Sequence, residues 1–160
     1  MKPLIVLFIC TLFVQISYAQ EIKFGFDDSV FEQELIELNA SAKLNIPSFY
    51  TDMSIEFGIE KPELRKAAAI GMQPGEIYLA AGMAKTTGKS FPEVVKNWEK
   101  DKGKGWGVIA HNMNLKPGSD EFKALKGKVK DKKITLKEKQ NETKKIKKSS
   151  KKKKASKRNR

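Results

Sequence analysis

Cysteine and histidine are scarce in this chain of 160 residues, which has one of each. A Cys/His zinc site needs about four such ligands and a disulfide framework needs pairs of cysteines, so both are excluded. The one cysteine, Cys10, lies in an N-terminal apolar run. If that run is removed, a Cys–His nucleophile pair is excluded as well. We therefore expect no cofactor and no metal site, and the sequence identifies no catalytic residue.

Acidic residues are scarce in the last quarter of the chain. Residues 121–160 contain 19 basic and 4 acidic side chains, whereas residues 1–120 contain 13 basic and 15 acidic ones. The formal net charge of +13 therefore describes neither part. The pattern predicts a nearly neutral folded body followed by a basic tail. An apolar content of 39% allows the body one modest core.

The N-terminus has the order of a cleavable secretory signal peptide. Lys2 precedes an apolar run over residues 4–14, which is shorter than the roughly 20 residues that span a bilayer. Small residues then stand three and one positions before a cleavage site between Ala19 and Gln20. We predict a signal peptide over residues 1–19 and an exported protein, periplasmic or extracellular, with no transmembrane span after processing. An uncleaved N-terminal anchor or a buried helix is the alternative.

Residues 20–120 show the spacing of short α-helices. A capping-box pair, Ser29 and Glu32, precedes a helical stripe. The stripe consists of Phe31, Leu35, Leu38 and Ala42. Residues 76–86 are apolar nearly all the way round, which is typical of a central, buried helix. Because no convincing period-2 alternation is present, the sequence predicts an all-α fold, a small orthogonal bundle of about five or six short helices.

A repeat lies inside this helical segment, with units over residues 47–77 and 78–115. The matching positions are Gly58 and Gly88, Pro62 and Pro92, and Glu63 and Glu93. Proline presets φ in a first helical turn, and glycine ends a helix at low steric cost. The pattern predicts a duplicated helical-hairpin unit. A chance match of helix boundaries is the alternative.

The second unit contains two distinctive turns, Gly88-Lys89-Ser90 and the Gly-Lys-Gly-Trp-Gly-Val-Ile-Ala of residues 103–110. Over residues 50–118 the chain resembles a group of small exported bacterial proteins that carry a Gly-Trp-Gly-x-Ile-Ala turn. The resemblance implies export and a helical fold, and it supplies no catalytic residue. The Ala19-Gln20 junction is similar to signal sequences of Gram-negative bacteria of the Bacteroidota type.

Neither glycine-rich turn matches a nucleotide site. A P-loop requires Gly-x-x-x-x-Gly-Lys-Ser/Thr between a strand and a helix. Gly82 is one residue off that spacing before Gly88, and the element predicted before Gly88 is a helix. The alternating glycines of residues 103–107 leave bare backbone that a phosphate or sugar could approach. A flexible turn with Trp106 in the core is the simpler interpretation.

Other polar and aromatic groups also have structural interpretations. His111 faces away from the apolar stripe of its helix, so we expect it to be exposed. Carboxylates early in the first helix could serve acid–base chemistry or bind a hard cation, or they could stabilise the helix dipole and a solvated face. These carboxylates are Asp27, Asp28, Glu32, Glu34 and Glu37. Trp98 and Trp106 could hold a sugar or peptide, but their spacing predicts core positions.

The last 40 residues are the strongest sign of a partner. Apolar side chains are sparse there, so we predict a disordered polybasic tail over residues 121–160. A short helix over 119–126 is expected to extend the body, which places the disorder from residue 128 onward. Lysines attract polyanions without regard to sequence: nucleic acid, lipopolysaccharide, acidic polysaccharide or anionic lipid. A solubilising tail with no partner is the alternative. The predicted polyanion-binding residues are Lys144, Lys145, Lys147, Lys148, Lys151, Lys152, Lys153, Lys154, Lys157, Arg158 and Arg160.

Three functions follow from these observations. The favoured one is a non-enzymatic exported interaction module whose tail binds anionic polymers or surfaces. The second is a helix-turn-helix-like nucleic-acid-binding protein, because the helices predicted over residues 94–100 and 106–114 have the length of a DNA-reading pair. The body, however, lacks the basic face that such a protein needs. The third is an enzyme that acts on an envelope polymer through Glu34 and Glu37.

Overall fold

The computed structural model describes the backbone of residues 23–158 and the side chains of residues 23–150. This part of the chain contains seven helices and no strand, which confirms the all-α prediction. The helices are α1 (Ser29–Lys43), α2 (Ile46–Phe57), α3 (Lys61–Ala69), α4 (Pro74–Thr87), α5 (Phe91–Lys100), α6 (Trp106–Asn112) and α7 (Asp120–Arg158). The predicted signal peptide, residues 1–19, and its cleavage site between Ala19 and Gln20 lie outside the described residues.

Helix α4 is the centre of the bundle. From Pro74 to Ala84 every residue except Glu76 is buried. Helices α1, α2, α3, α5 and α7 all contact it. Each side of α4 therefore meets another helix. This explains why α4 is apolar on all sides, as predicted for a central, buried helix.

Helix α1 begins one residue earlier than the predicted capping box. The N-cap is Asp28, whose side chain accepts a hydrogen bond from the Phe31 N–H at 3.0 Å. Glu32 turns away from the helix end and accepts from backbone N–H groups of the preceding segment, those of Phe24 and Phe26. The assignment of Ser29 as the cap was wrong because Asp28 is an equally good capping residue and Glu32 is engaged elsewhere.

The two predicted repeat units share their turn conformations. Gly58 ends α2 and Gly88 ends α4, both in the left-handed region with φ of 69°. Proline stands in the first turn of α3 and of α5. Met53 and Met83, which occupy matching positions on α2 and α4, are both fully buried. The hairpins α2–α3 and α4–α5 therefore repeat one local structure.

The C-terminal segment is a long helix, so the prediction of disorder for residues 121–160 is wrong for the part that the structure describes. Helix α7 runs from Asp120 to Arg158, and it packs against α1 and α4. The short helix expected over residues 119–126 is only its first turns. The folded body therefore does not end near residue 120.

The spacing of a few apolar residues explains why α7 packs. The side chains that face the body recur at intervals of three and four residues, which keeps them on one side of a helix. They are Phe122, Leu125, Val129, Lys132 and Leu136, all buried. Gly82 of α4 admits the helix closely, because a Cβ at that position would lie 2.5 Å from Cδ1 of Leu125. This stripe is hard to recognise in the sequence because a lysine occupies one of its positions.

We predict that Leu125→Ala lowers the free energy of unfolding by about 2–5 kcal/mol, the usual cost of truncating a buried leucine. The matched control is Ile146→Ala on the same helix, where the side chain is 67% exposed and the change should stay within about 0.5 kcal/mol. Urea unfolding followed by circular dichroism measures both values. Equal, small effects would contradict the packing of α7 on the body.

Candidate functional site

Most lysines in the first half of α7 pair with acids of the body. Each of four lysines meets a carboxylate of α1, α2 or the cap of α1. The pairs are Lys126–Asp28, Lys133–Glu34 (3.5 Å), Lys137–Glu37 (2.8 Å) and Lys139–Asp52 (2.8 Å). Solvent-accessible pairs contribute little individually, and most of these groups are half-buried. Together they align a basic helix along an acidic side of the body.

A fifth lysine, Lys132, lies in the interface itself. It is only 7% exposed, and its Nζ lies 3.0 Å from Oε2 of Glu56. The Tyr78 hydroxyl of α4 donates to Oε1 of the same carboxylate at 2.7 Å. Burial, together with the hydrogen bond to Glu56, raises the pKa of Tyr78 well above its usual value, so the phenol stays protonated as a donor. This cluster joins α2, α4 and α7 through one carboxylate.

Three of the five carboxylates that the sequence offered as acid–base candidates, Asp28, Glu34 and Glu37, are used in this pairing. The hydrogen bond from Lys126 holds the pKa of Asp28 below its usual value, and the one from Lys137 does the same for Glu37. A general acid at neutral pH needs a raised pKa instead. Glu34 lies beside Lys133, and Glu32 binds backbone. Asp27 is exposed.

The lysine pairing stops where the body ends. Every side chain from Asn141 to Ser150 is exposed. Among the described side chains, no carboxylate forms an ion pair with Lys144, Lys145, Lys147 or Lys148. The backbone stays helical to Arg158. The side chains of the other predicted polyanion-binding residues lie outside the described ones: Lys151, Lys152, Lys153, Lys154, Lys157, Arg158 and Arg160.

Sequence reasoning missed Glu76, the one residue of the buried stretch of α4 that is not fully buried. Its Oε1 accepts hydrogen bonds from the indole N–H groups of Trp98 (3.0 Å) and Trp106 (3.2 Å). Its Oε2 accepts from the Gln73 N–H at 2.8 Å. Both indoles are core residues, as predicted. A lone carboxylate in an otherwise apolar helix was the available signal, because such a group needs buried donors.

The Gly-Trp-Gly turn is covered by the chain's own N-terminal segment. The Trp106 N–H donates to the Phe24 carbonyl oxygen at 2.6 Å. Gly25 and Gly105, both with positive φ, stack backbone on backbone, and a Cβ on Gly25 would lie 2.7 Å from Cα of Gly105. The backbone of Gly105 and Gly107, at which a phosphate or sugar was considered, is therefore covered by protein, whereas Gly103 is open. Gly88 and Ser90 serve as the cap residues between α4 and α5.

His111 and helix α6 are the two remaining candidates from the sequence. His111 is exposed, as predicted, on the rim of a surface cavity of about 620 Å³ that Asp27 and Lys123 also line. Helix α6, the expected recognition helix of a helix-turn-helix, has seven residues and contains neither lysine nor arginine. Among the residues that the structure describes, no group of three or more His, Cys, Asp or Glu side chains is arranged to hold a metal ion.

Within residues 23–158 none of the helices combines the length and the apolar character that crossing a bilayer requires. Comparisons with protein families, with curated proteins and with solved structures gave no match. The interpretation of the site therefore depends on its own residues.

We predict that acid weakens the structure through Asp28 and Glu37. A lowered folded-state pKa means that each carboxylate stabilises the fold above its ordinary pKa, about 4. This contribution is lost as the pH falls through the lower, folded-state pKa. Replacing both by Asp28→Asn and Glu37→Gln, where asparagine keeps the helix cap, should make the fall of Tm below about pH 5 shallower.

The control for this pH measurement is Glu99→Gln, since Glu99 is exposed and forms no ion pair among the described residues. Its Tm should follow the wild-type pH profile. If the double variant also keeps the wild-type profile, the lysine pairs of Asp28 and Glu37 do not stabilise the fold.

We predict that Glu76→Ala destabilises the protein by about 2–4 kcal/mol, because it leaves two indole N–H groups and one backbone N–H without an acceptor. Glu76→Gln should cost less, since its amide oxygen still accepts from both indoles. Urea unfolding followed by tryptophan fluorescence measures both. An alanine variant as stable as the glutamine variant would refute the role of Glu76 as a shared acceptor.

Proposed function

We propose that this chain is an exported, non-enzymatic helical protein whose C-terminal helix binds anionic polymers or surfaces through its lysine-rich end. Export is inferred from the order of residues 1–19. The binding role is inferred from α7, which the body holds by its first half. The result is a folded support that carries a basic helical extension, residues 141–158 of α7.

The observation that carries the proposal is the change in pairing along α7. Up to Lys139, many lysines of α7 form ion pairs with carboxylates of the body, so these lysines help to hold α7 on the body. From Lys144 onward the described lysines have no such partner, and their positive potential is open to solvent. Residues 141–160 carry 11 basic and one acidic side chain. A charge of this size on one element attracts polyanions before any specific contact forms.

The helical conformation determines how this charge is presented. Residues 141–158 extend about 27 Å at 1.5 Å per residue. Lysines three and four positions apart, such as Lys144 with Lys147 and Lys148, lie about 5–6 Å apart at their Cβ atoms. Each lysine near an anionic surface contributes about 1 kcal/mol. The extension therefore binds by summed point charges along one rod.

The chemistry of the extension favours binding without sequence recognition. It contains no aromatic side chain, because the last aromatic residue of the chain is Phe122. Stacking on bases is therefore absent from this segment. Lysine also lacks the planar fork with which arginine reads guanine edges. The expected ligand is an array of anionic groups.

We predict that the full chain binds random-sequence duplex DNA, used as a model polyanion, with a steep salt dependence. If six to ten phosphates are contacted, affinity should fall by about 10³–10⁵ between 50 and 200 mM salt. Replacing Lys144, Lys145, Lys147 and Lys148 with glutamine should weaken binding and leave Tm unchanged. Fluorescence anisotropy measures the affinity.

The control neutralises four paired lysines, Lys126, Lys133, Lys137 and Lys139, with the same change in net charge. This variant should lose thermal stability and keep most of its affinity for DNA. Equal losses of affinity in the two variants would mean that binding follows total charge and not the exposed end. Affinity unchanged in the first variant would overturn the proposal.

A further inference from the structure

A groove lies beside the point at which α7 leaves the body. It is formed between residues 136–147 of α7 and the corner that joins α1 to α2, and its volume is about 260 Å³. Among the described side chains, Gln140 makes the last hydrogen bond of α7 with α1, in which its side-chain N–H donates to the Ser41 carbonyl oxygen at 3.0 Å. The groove therefore sits at the junction of the paired and the unpaired parts of the helix.

The lining of this groove is apolar on one side and cationic on the other. Leu44 and Leu136 supply apolar surface, and Leu44 is 69% exposed although it is a large aliphatic residue. Lys139, Lys144 and Lys147 line the α7 side. Lys139 is held by Asp52, so Lys144 and Lys147 are the two ammonium groups available to a ligand. No acidic residue lines the groove.

A groove with one apolar and one cationic side favours an anion that also carries apolar surface. A phosphate of nucleic acid or an acidic sugar would satisfy the two ammonium groups but would leave the leucine surface in water. A phospholipid can satisfy both sides, because its phosphate is joined through a short glycerol backbone to apolar acyl chains. The groove is smaller than the 300–1,000 Å³ of typical small-molecule pockets. It can therefore hold a headgroup and the start of a chain, with the rest of the lipid left in its bilayer.

We propose that this groove binds the headgroup of an anionic phospholipid, so that α7 and the α1–α2 corner meet a lipid surface together. The inference rests on the proposed function and names its partner. The strength of binding at a membrane interface rises with the buried apolar area and with the electrostatic attraction to anionic lipids. Here Lys144, Lys145, Lys147 and Lys148 supply the electrostatic attraction, and Leu44 at the groove supplies apolar area.

The test uses two double variants of the full chain that have the same charge and lie in the same helical turns. K144Q/K147Q removes both groove lysines, whereas K145Q/K148Q removes two lysines that do not line the groove. Binding is measured by co-sedimentation with phosphatidylcholine vesicles that contain phosphatidylglycerol, and by anisotropy with duplex DNA. We expect K144Q/K147Q to weaken vesicle binding about tenfold more than K145Q/K148Q, and both to weaken DNA binding equally.

A second pair of variants separates a lipid from a free phosphate. Leu44→Gln should lower vesicle affinity about three- to tenfold, because it removes the apolar contact, and should leave DNA affinity unchanged. Val30→Gln is the matched control, since Val30 is 68% exposed and lies at the other end of α1, outside the groove lining. It should change neither affinity.

The outcomes keep the two proposals apart. Equal vesicle losses in the two lysine double variants, or no effect of Leu44→Gln, would overturn the lipid groove and leave the proposed polyanion binding intact. A wild-type chain that binds DNA but not the anionic vesicles would also overturn the groove. A wild-type chain that binds neither probe would overturn the proposed function itself.

Discussion

The seating of α7 against α1 and α4 is the interaction on which the rest of the structure depends. Helix α4 is apolar on every side, so it needs a cover on each, and α7 supplies one of them through Leu125 against Gly82. The same contact brings lysines to Asp28, Glu37 and other acids that would otherwise repel one another along α1. The opposite charges of the body and the C-terminal segment are therefore partly explained by the ion pairs that join them.

Lys132 has a particular place in this contact. Burying an ammonium group costs free energy, and here Glu56, with Asp52 at 3.6 Å, offsets that cost. An all-apolar stripe could slide by a turn against its partners, whereas a charged residue at one position of the stripe finds its partners in one register only. The cluster of Lys132, Glu56 and Tyr78 thus selects the position of α7, and with it the residue at which the helix leaves the body.

Local signals in the sequence were sufficient for six of the helices and not for the seventh. Pro62, Pro92, Gly58 and Gly88 mark helix ends by their own backbone preferences, so short segments reveal them. The packing of α7 depends on groups far away in the chain, such as Glu56, which is 76 residues from Lys132. Composition alone made the segment resemble a disordered tail. The role of Glu76 was hidden for the same reason, because its indole donors lie 22 and 30 residues away.

A helix that is anchored by half its length differs from a flexible tail in what it can recognise. A flexible lysine chain adapts to any polyanion and places no lysine beside a chosen surface. Helix α7 holds Lys144 and Lys147 next to Leu44 because Gln140 and Lys139 are attached to the body just before them. Under the proposed lipid binding, this adjacency of charge and apolar surface, at the point where α7 leaves the body, is the physical basis for preferring one class of anion.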